Sequence, residues 1–303
     1  MIYTSLAGEL QSLVKGSIQI NEPMRKHTTW KIGGKADLFL NPSDKEDIRQ
    51  AVEFAREKAI PITVIGNGSN LLVKDGGIRG LVIKVGRGMA KITIEGTSIK
   101  AGAGALLPEL AVFACKNSLG GFGFAAGIPG SLGGAIVMNA GAMNGCVSDV
   151  LQSIVVLNER NQFEVLTKDH LNFAYRTSNL QSRGLICVET CWQGYAKDQW
   201  LIEQETKEYL AKRKAAQPQG FPNAGSVFKN PEGDFAGRLI EGCGGKGLRV
   251  GDAEVSSKHA NWILNLGRAT AQDVLILIDH LKQMVQERFG VLLQLEVKVL
   301  GED

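Results

Sequence analysis

NSLGGFGFAAGIPGSLGGAIVMNAGAMNGCVS, residues 117–148, carries no charged side chain and holds nine glycines between Gly120 and Gly145. A membrane span of this length would not tolerate Pro129, so many glycines, and the amides of Asn139 and Asn144. A flexible linker would be polar and serine-rich, whereas Phe122, Phe124, Ile128, Leu132, Ile136, Val137 and Met138 are apolar. The stretch therefore reads as a buried loop shaped by glycine, which lets backbone approach another object closely and reach positive φ. N–H groups left free along such an uncharged turn suit a diphosphate. The expectation is a loop wrapped round a nucleotide cofactor, with a packed internal turn lacking any ligand as the alternative.

The 303-residue chain is long enough for two or three domains. Hydrophobic residues at 44% and charged residues at 21% are ordinary for a globular protein. A net charge of +3, with basic residues spread out apart from Lys212, Arg213 and Lys214, does not suggest a nucleic-acid partner. Five cysteines form no CxxC pair and no zinc spacing, so reduced thiols and a cytoplasmic location are expected. The N-terminus MIYTSLAGEL has no basic segment before Glu9 and does not read as a signal peptide. His27, His170 and His280 stand apart from any cluster, and no metal site is expected.

Hydrophobic spacing predicts a helix over 5–14 and a Gly33–Gly34 turn leading into a strand before residue 40. A second helix, through 51–58, begins after Ser43 and Asp44, a good N-cap pair. Residues 61–65 read as a buried strand ending in GNGSN at 66–70, followed by LLV, a DGG turn at 75–77 and a strand at 81–85. Strands within 91–101, a helix over 108–117, strands within 150–167 and over 185–195, and a helix over 199–214 come next. QPQGFP at 217–222 reads as a hinge. Beyond it lie strands at 226–228, 261–265 and 291–299 and helices at 234–242 and 270–289, one α+β lobe.

No GxxxxGK[ST] occurs, which excludes a P-loop. Gly66-x-Gly68 leads to Leu71, and Gly102-x-Gly104 to Leu107, so GxGxxG is absent. Gly121-x-Gly123-x-x-Ala126 fits a relaxed form, but no strand precedes it and Pro129 interrupts the helix that should follow. A nucleotide seat would have to be built from two separated loops, 66–70 and 127–141.

Four motifs in order, GNGSNLLV (66–73), AGIPGSLGGAIVMNAGA (126–142), AYRTS (174–178) and AGSVFKNP (224–231), make the chain resemble the UDP-N-acetylenolpyruvoylglucosamine reductases, flavoenzymes of bacterial peptidoglycan precursor synthesis. The resemblance runs from about Pro23 to Val299. It implies an α+β fold: a vanillyl-alcohol-oxidase-type FAD-binding domain of two α+β subdomains, 1–88 and 89–216, and a C-terminal α+β substrate domain, 217–303. The short interval from Arg176 to Ser226 resembles the family's shorter, second type. TTWKIGG at 28–34 departs from the usual TTFKIGG at Trp30.

The resemblance also implies the chemistry. NADPH reduces non-covalently bound FAD, NADP⁺ leaves, and a UDP-linked enolpyruvyl amino sugar takes its place. Flavin N5 delivers hydride to C3, charge spreads from C2 into the carboxylate as an enediolate, and C2 is protonated. Arg176 matches the carboxylate-polarising arginine, whose planar fork suits a carboxylate. Ser226 matches the proton donor, and Glu296 the group that orients the carboxylate and the intermediate. FAD contacts are expected from Gly66, Asn67, Gly68, Ser69 and Asn70, from Gly127, Ile128, Pro129, Gly130, Ser131, Gly133 and Gly134, and from Asn139, Ala140 and Gly141. Tyr175, Lys214, Lys229 and Asn230 are candidates for the substrate, and His259 for a structural hydrogen bond.

Without the resemblance, Arg176 reads as a strand-end arginine and Ser226 as a turn residue. Glu296 then reads as the polar face of a strand in which Leu293, Leu295, Val297 and Val299 alternate with polar neighbours. Two other functions stay open. An oxidase on the same FAD fold would consume oxygen without NADPH, and a nucleotide-binding module without redox activity would be colourless.

Overall fold

Asp44 opens the first long helix as expected. Its carboxylate accepts the Asp47 N–H at 3.0 Å, and Lys45–Glu57 follows with Ile48, Ala51, Val52, Phe54 and Ala55 turned inward. The computed structural model describes residues 2–143 and 145–303; Met1 and Asn144, whose amide was cited above against a membrane span, lie outside the described residues. Contacts divide the chain into two units. The first takes residues up to Ile20, Leu38–Asn67 and Gly80–Arg213; the second takes Asn21–Asp37, Gly68–Arg79 and Lys214–Asp303. This division does not follow the chain-order boundaries 88/89 and 216/217: segments 21–37 and 68–79 share a core with the C-terminal residues.

The first unit is built on a five-stranded antiparallel sheet, ordered Phe163–Thr167, Leu151–Leu157, Ile186–Gln193, Ser98–Gly102, Ile92–Glu95. A register shift between Val155 and Val156 lets Val156 and Leu157 both bury, against strict alternation. All five cysteines are unpaired, and burial pushes the Cys187 thiol up to about 12. A four-stranded sheet is ordered Ser17–Pro23, Lys35–Asn41, Ile78–Lys84, Ile62–Ile65, the last two parallel. Ile62–Ile65, expected to be buried, is an edge strand with Val64 39% exposed.

In the second unit, Thr270 and Asp273 form a capping box on Ala271–Phe289, and the Asp75 carboxylate accepts the Ala271 and Gln272 N–H groups at 3.0 and 3.1 Å. Gly290 ends that helix at φ 69°. Arg249–Val250, Ala253–Val255 and Ile263–Asn265 form an antiparallel sheet, and Leu71–Val73 pairs in parallel with Lys298–Leu300. Two expected strands are corrected: 226–228 has only a bridge from Phe228 to Leu295, and 291–299 is strand only from Lys298 onward. The cause for 226–228 is that both backbone groups of Phe228 bond to a side-chain amide, described below. Trp30 is fully buried and its indole N–H donates to the Ile263 carbonyl at 2.9 Å, so the departure from phenylalanine leaves no polar group unpaired. No described helix is long and apolar enough to cross a membrane.

Candidate functional site

Within the first unit the loops at 66–67 and 129–131 meet. Asn67 Nδ2 donates to the Pro129 carbonyl, and a Cβ on Gly66 would lie 2.1 Å from Ser131 Oγ, an approach only glycine permits. Ser131 caps Leu132–Val137, its Oγ accepting the Gly134 N–H at 3.4 Å. Gly68, Ser69 and Asn70 fall in the second unit, where Asn70 Nδ2 donates to the Glu296 carbonyl at 3.0 Å.

The expected collar of free N–H groups is mostly absent. Leu132 and Gly133 donate to Ala105 and Ala103 at 2.8 and 2.9 Å, and Ala135, Met138, Asn139 and Ala140 donate within the segment itself. Among the described residues of 130–135, the N–H groups of Gly130 and Ser131 alone make no hydrogen bond. A loop that folds into a short helix against 103–107 satisfies its own backbone, and only its entry stays open.

AYRTS is tied to this glycine run. Asn139 Nδ2 donates to the Ala174 carbonyl at 3.2 Å, and Ser178 Oγ donates to the Val137 carbonyl at 3.1 Å. Asn139 Oδ1 accepts the Ser148 N–H at 3.1 Å, so both ends of this expected cofactor amide are engaged by protein. Ala174 and Thr177 exchange backbone hydrogen bonds at 3.2 and 3.3 Å, a tight turn that puts Arg176 at φ 56°. That left-handed conformation is strained for a side-chain-bearing residue and persists because the turn is held at both ends. The Arg176 guanidinium stands 5.1 Å from the centroid of the exposed Tyr175 ring.

Helix Gln199–Ala216 packs on the same run. Tyr209 and Arg213, one turn apart, lie where a Cβ on Gly123 or Gly127 would stand, 2.8 and 2.7 Å from their nearest atoms. Lys212 and Lys214 are exposed, while Arg213 is half-buried with no ion pair among the described residues. Burial lowers its guanidinium from the ordinary value, yet arginine stays charged. Sequence reasoning chose Lys214 from this cluster and passed over Arg213. The usable signal was the match between the Tyr209–Arg213 spacing and the Gly123–Gly127 spacing.

In the second unit the segments that carry Ser226 and Glu296 meet through their backbones. The Val227 carbonyl accepts the Glu296 N–H at 2.8 Å, and the Lys229 N–H donates to Gln294 at 2.8 Å. Ser226 is half-buried and its hydroxyl makes no hydrogen bond among the described residues. Asn230 is exposed, and its Oδ1 accepts the Ala236 N–H at 3.1 Å. Lys214 is joined through its carbonyl to Lys258 Nζ at 2.7 Å. His259 Nδ1 accepts the Asn261 N–H at 3.3 Å, the structural role expected of it. Asn261, 3% exposed, was missed; its signal was a pair of amides, Asn261 and Asn265, bracketing the apolar WIL of NWILN.

Two family profiles match the chain: "FAD binding domain" over 36–164 and "UDP-N-acetylenolpyruvoylglucosamine reductase, C-terminal domain" over 217–300. The UDP-N-acetylenolpyruvoylglucosamine reductase of Moorella thermoacetica is 47% identical over 302 residues, covering 100% of this chain and 99% of that protein. The UDP-N-acetylenolpyruvoylglucosamine reductase 2 of Symbiobacterium thermophilum is 43% identical, covering 98% and 97%. The crystal structure of the Thermus caldophilus UDP-N-acetylenolpyruvylglucosamine reductase aligns with a TM-score of 0.82 at 36% identity, covering 95% of this chain and 99% of that one. With the FAD-domain match, this makes the fold the α+β, vanillyl-alcohol-oxidase type expected above.

Proposed function

Because the chain belongs to the UDP-N-acetylenolpyruvoylglucosamine reductase family, we propose that it reduces UDP-N-acetylenolpyruvoylglucosamine to UDP-N-acetylmuramate, with non-covalent FAD and with NADPH as reductant. The product feeds peptidoglycan precursor synthesis. The residues present fit FAD. Gly66, Asn67 and 129–131 make an uncharged lining, the Gly130 and Ser131 N–H groups are open, and Arg213 is a half-buried cation without an acidic partner among the described residues. We assign those two N–H groups and Arg213 to the diphosphate, whose negative charge they match.

When bound, FAD supplies the two-electron reduction at C3 of the enolpyruvyl group. Arg176 holds the substrate carboxylate in its guanidinium fork and stabilises the enediolate. Its turn, tethered through Asn139 and Ser178, limits how far it can drift. Ser226 gives its Oγ proton to C2, and Glu296 orients the carboxylate. Tyr175, Lys214, Lys229 and Asn230 serve the UDP sugar, the lysines as point charges for its diphosphate.

One observation carries this reading: the Glu296 N–H bonds to the carbonyl of the residue after Ser226. Two segments remote in sequence, one carrying Ser226 and the other Glu296, are thereby joined by a backbone hydrogen bond. The test is anaerobic. NADPH should bleach the yellow protein, and UDP-N-acetylenolpyruvoylglucosamine should restore the colour. Oxygen-consuming turnover without NADPH would favour the oxidase reading, and a colourless protein with no affinity for FAD would end both.

A further inference from the structure

We propose that Asn261 is a positioning residue for the proton-donor segment, its buried side-chain amide clamping both backbone groups of Phe228 in the single register that joins the Ser226 segment to the Glu296 segment. Residues 226–228 have no strand ladder to fix them, only the bridge from Phe228 to Leu295. Asn261 supplies what the ladder lacks. Its Oδ1 accepts the Phe228 N–H at 2.9 Å, its Nδ2 donates to the Phe228 carbonyl at 2.8 Å, and its own carbonyl accepts the Val227 N–H at 2.9 Å. On the opposite edge the Val227 carbonyl accepts the Glu296 N–H at 2.8 Å.

Val227, Phe228 and Asn261 are all nearly inaccessible, so water cannot replace these bonds. A slip by one residue would leave both ends of the amide unpaired in a dry site, and the clamp therefore selects one register. On the other side of Ser226 the chain is held one residue further off, where Ala224 is buried and the Asn223 carbonyl accepts the Thr29 hydroxyl at 2.7 Å. Gly225 sits at φ 76° with nothing within 4 Å of a built Cβ, and its N–H bonds only to Asn223 Oδ1 in a local turn. Asn261 thus fixes the residues that follow Ser226 directly, while Gly225 separates Ser226 from the anchor on its other side.

This inference rests on the reading of Ser226 as proton donor. In that step the Oγ–H bond breaks while the electron pair of the enediolate forms the C2–H bond, and Oγ regains a proton from solvent. NADPH has already supplied the electrons through FAD.

The test uses the FAD-loaded full chain carrying Asn261→Ala or Asn261→Asp, with Ser226→Ala alongside. Anaerobic stopped-flow separates bleaching by NADPH from the substrate-driven half-reaction, followed by recolouring and formation of the lactyl ether. Bleaching should stay within about twofold, while the substrate half-reaction slows by about 10- to 100-fold, the effect of misplacing a reacting group by about an ångström. Its solvent deuterium isotope effect should rise as proton transfer becomes limiting. Asn261→Asp, which keeps an acceptor for the Phe228 N–H, should lose less than Asn261→Ala. Equal slowing of both half-reactions, parent rates in folded variants, or failure of both variants to fold would overturn the proposal. A parent-like Ser226→Ala enzyme would instead refute the proton-donor reading itself.

Discussion

The carboxamide of Asn139 donates to the carbonyl of Ala174 at 3.2 Å, tying the glycine run to the turn that carries Arg176. Asn139 itself adopts φ 40° and is 8% exposed, so this bond is made in a nearly dry place. Asn139→Ala would leave the Ser148 N–H unpaired and the Ala174 carbonyl with only its bond from the Thr177 N–H. We expect a loss of about 1–3 kcal/mol of stability, the usual cost of a buried unsatisfied group. A fall in kcat should accompany it as the Arg176 turn relaxes. Urea unfolding and steady-state kinetics check the two effects. Parent-like kcat in a destabilised variant would mean that the tether serves the fold alone.

Gly66→Ala should cost flavin content, because the new methyl would meet Ser131 Oγ at 2.1 Å and force the two loops apart. Ser131→Gly in the same chain removes that oxygen and should restore binding. At Gly134 a Cβ would meet only Ser131 Oγ, at 3.3 Å, so Gly66 is the tighter of the two positions. The absorbance ratio of flavin to protein after purification is the measurement.

Arg213→Met keeps an apolar stem over Gly127 and removes the charge. FAD affinity should weaken by about 10- to 100-fold, the equivalent of losing a charge-assisted hydrogen bond. Titration of the apoprotein with FAD, followed by flavin fluorescence, gives the dissociation constant. Lys214→Met should leave that constant near the parent value, since Lys214 is exposed. The opposite ranking would remove Arg213 from the FAD diphosphate.

Burial holds the His259 pKa below its ordinary 6.5, with Lys246 acting in the same sense and Glu241 against it. The unfolded chain therefore binds a proton more readily than the folded one. The stability this contributes is fully present above pH 6.5 and is lost as pH falls through the lower folded value. Protonated Nδ1 also cannot accept the Asn261 N–H. Urea midpoints should drop across this acidic window, and His259→Gln should flatten that part of the profile. An unchanged slope in the variant would remove His259 as the cause.

Local signals were legible because they depend on neighbours within a turn of helix. Asp44 and Thr270 mark helix starts with carboxylate or hydroxyl caps, Gly290 marks an end, and both helices form where their caps stand. Period-two alternation over 293–297 reports burial, with Leu293 and Val297 inside, yet those residues form no strand; the strand starts at Lys298. Alternation reports which side chains face inward, and it carries no information about which partner takes the N–H groups.

The order of four motifs along the chain sufficed for the family, because each motif is contiguous and its glycines and polar residues can be read without knowing their neighbours in space. Only the tertiary structure decided that Arg213 rather than Lys214 turns inward, that Gly130 and Ser131 keep open N–H groups, and that Asn261 holds the segment after Ser226. Each of these depends on burial and hydrogen-bond partners supplied by residues distant in the chain. Spacing along one segment contains no record of them.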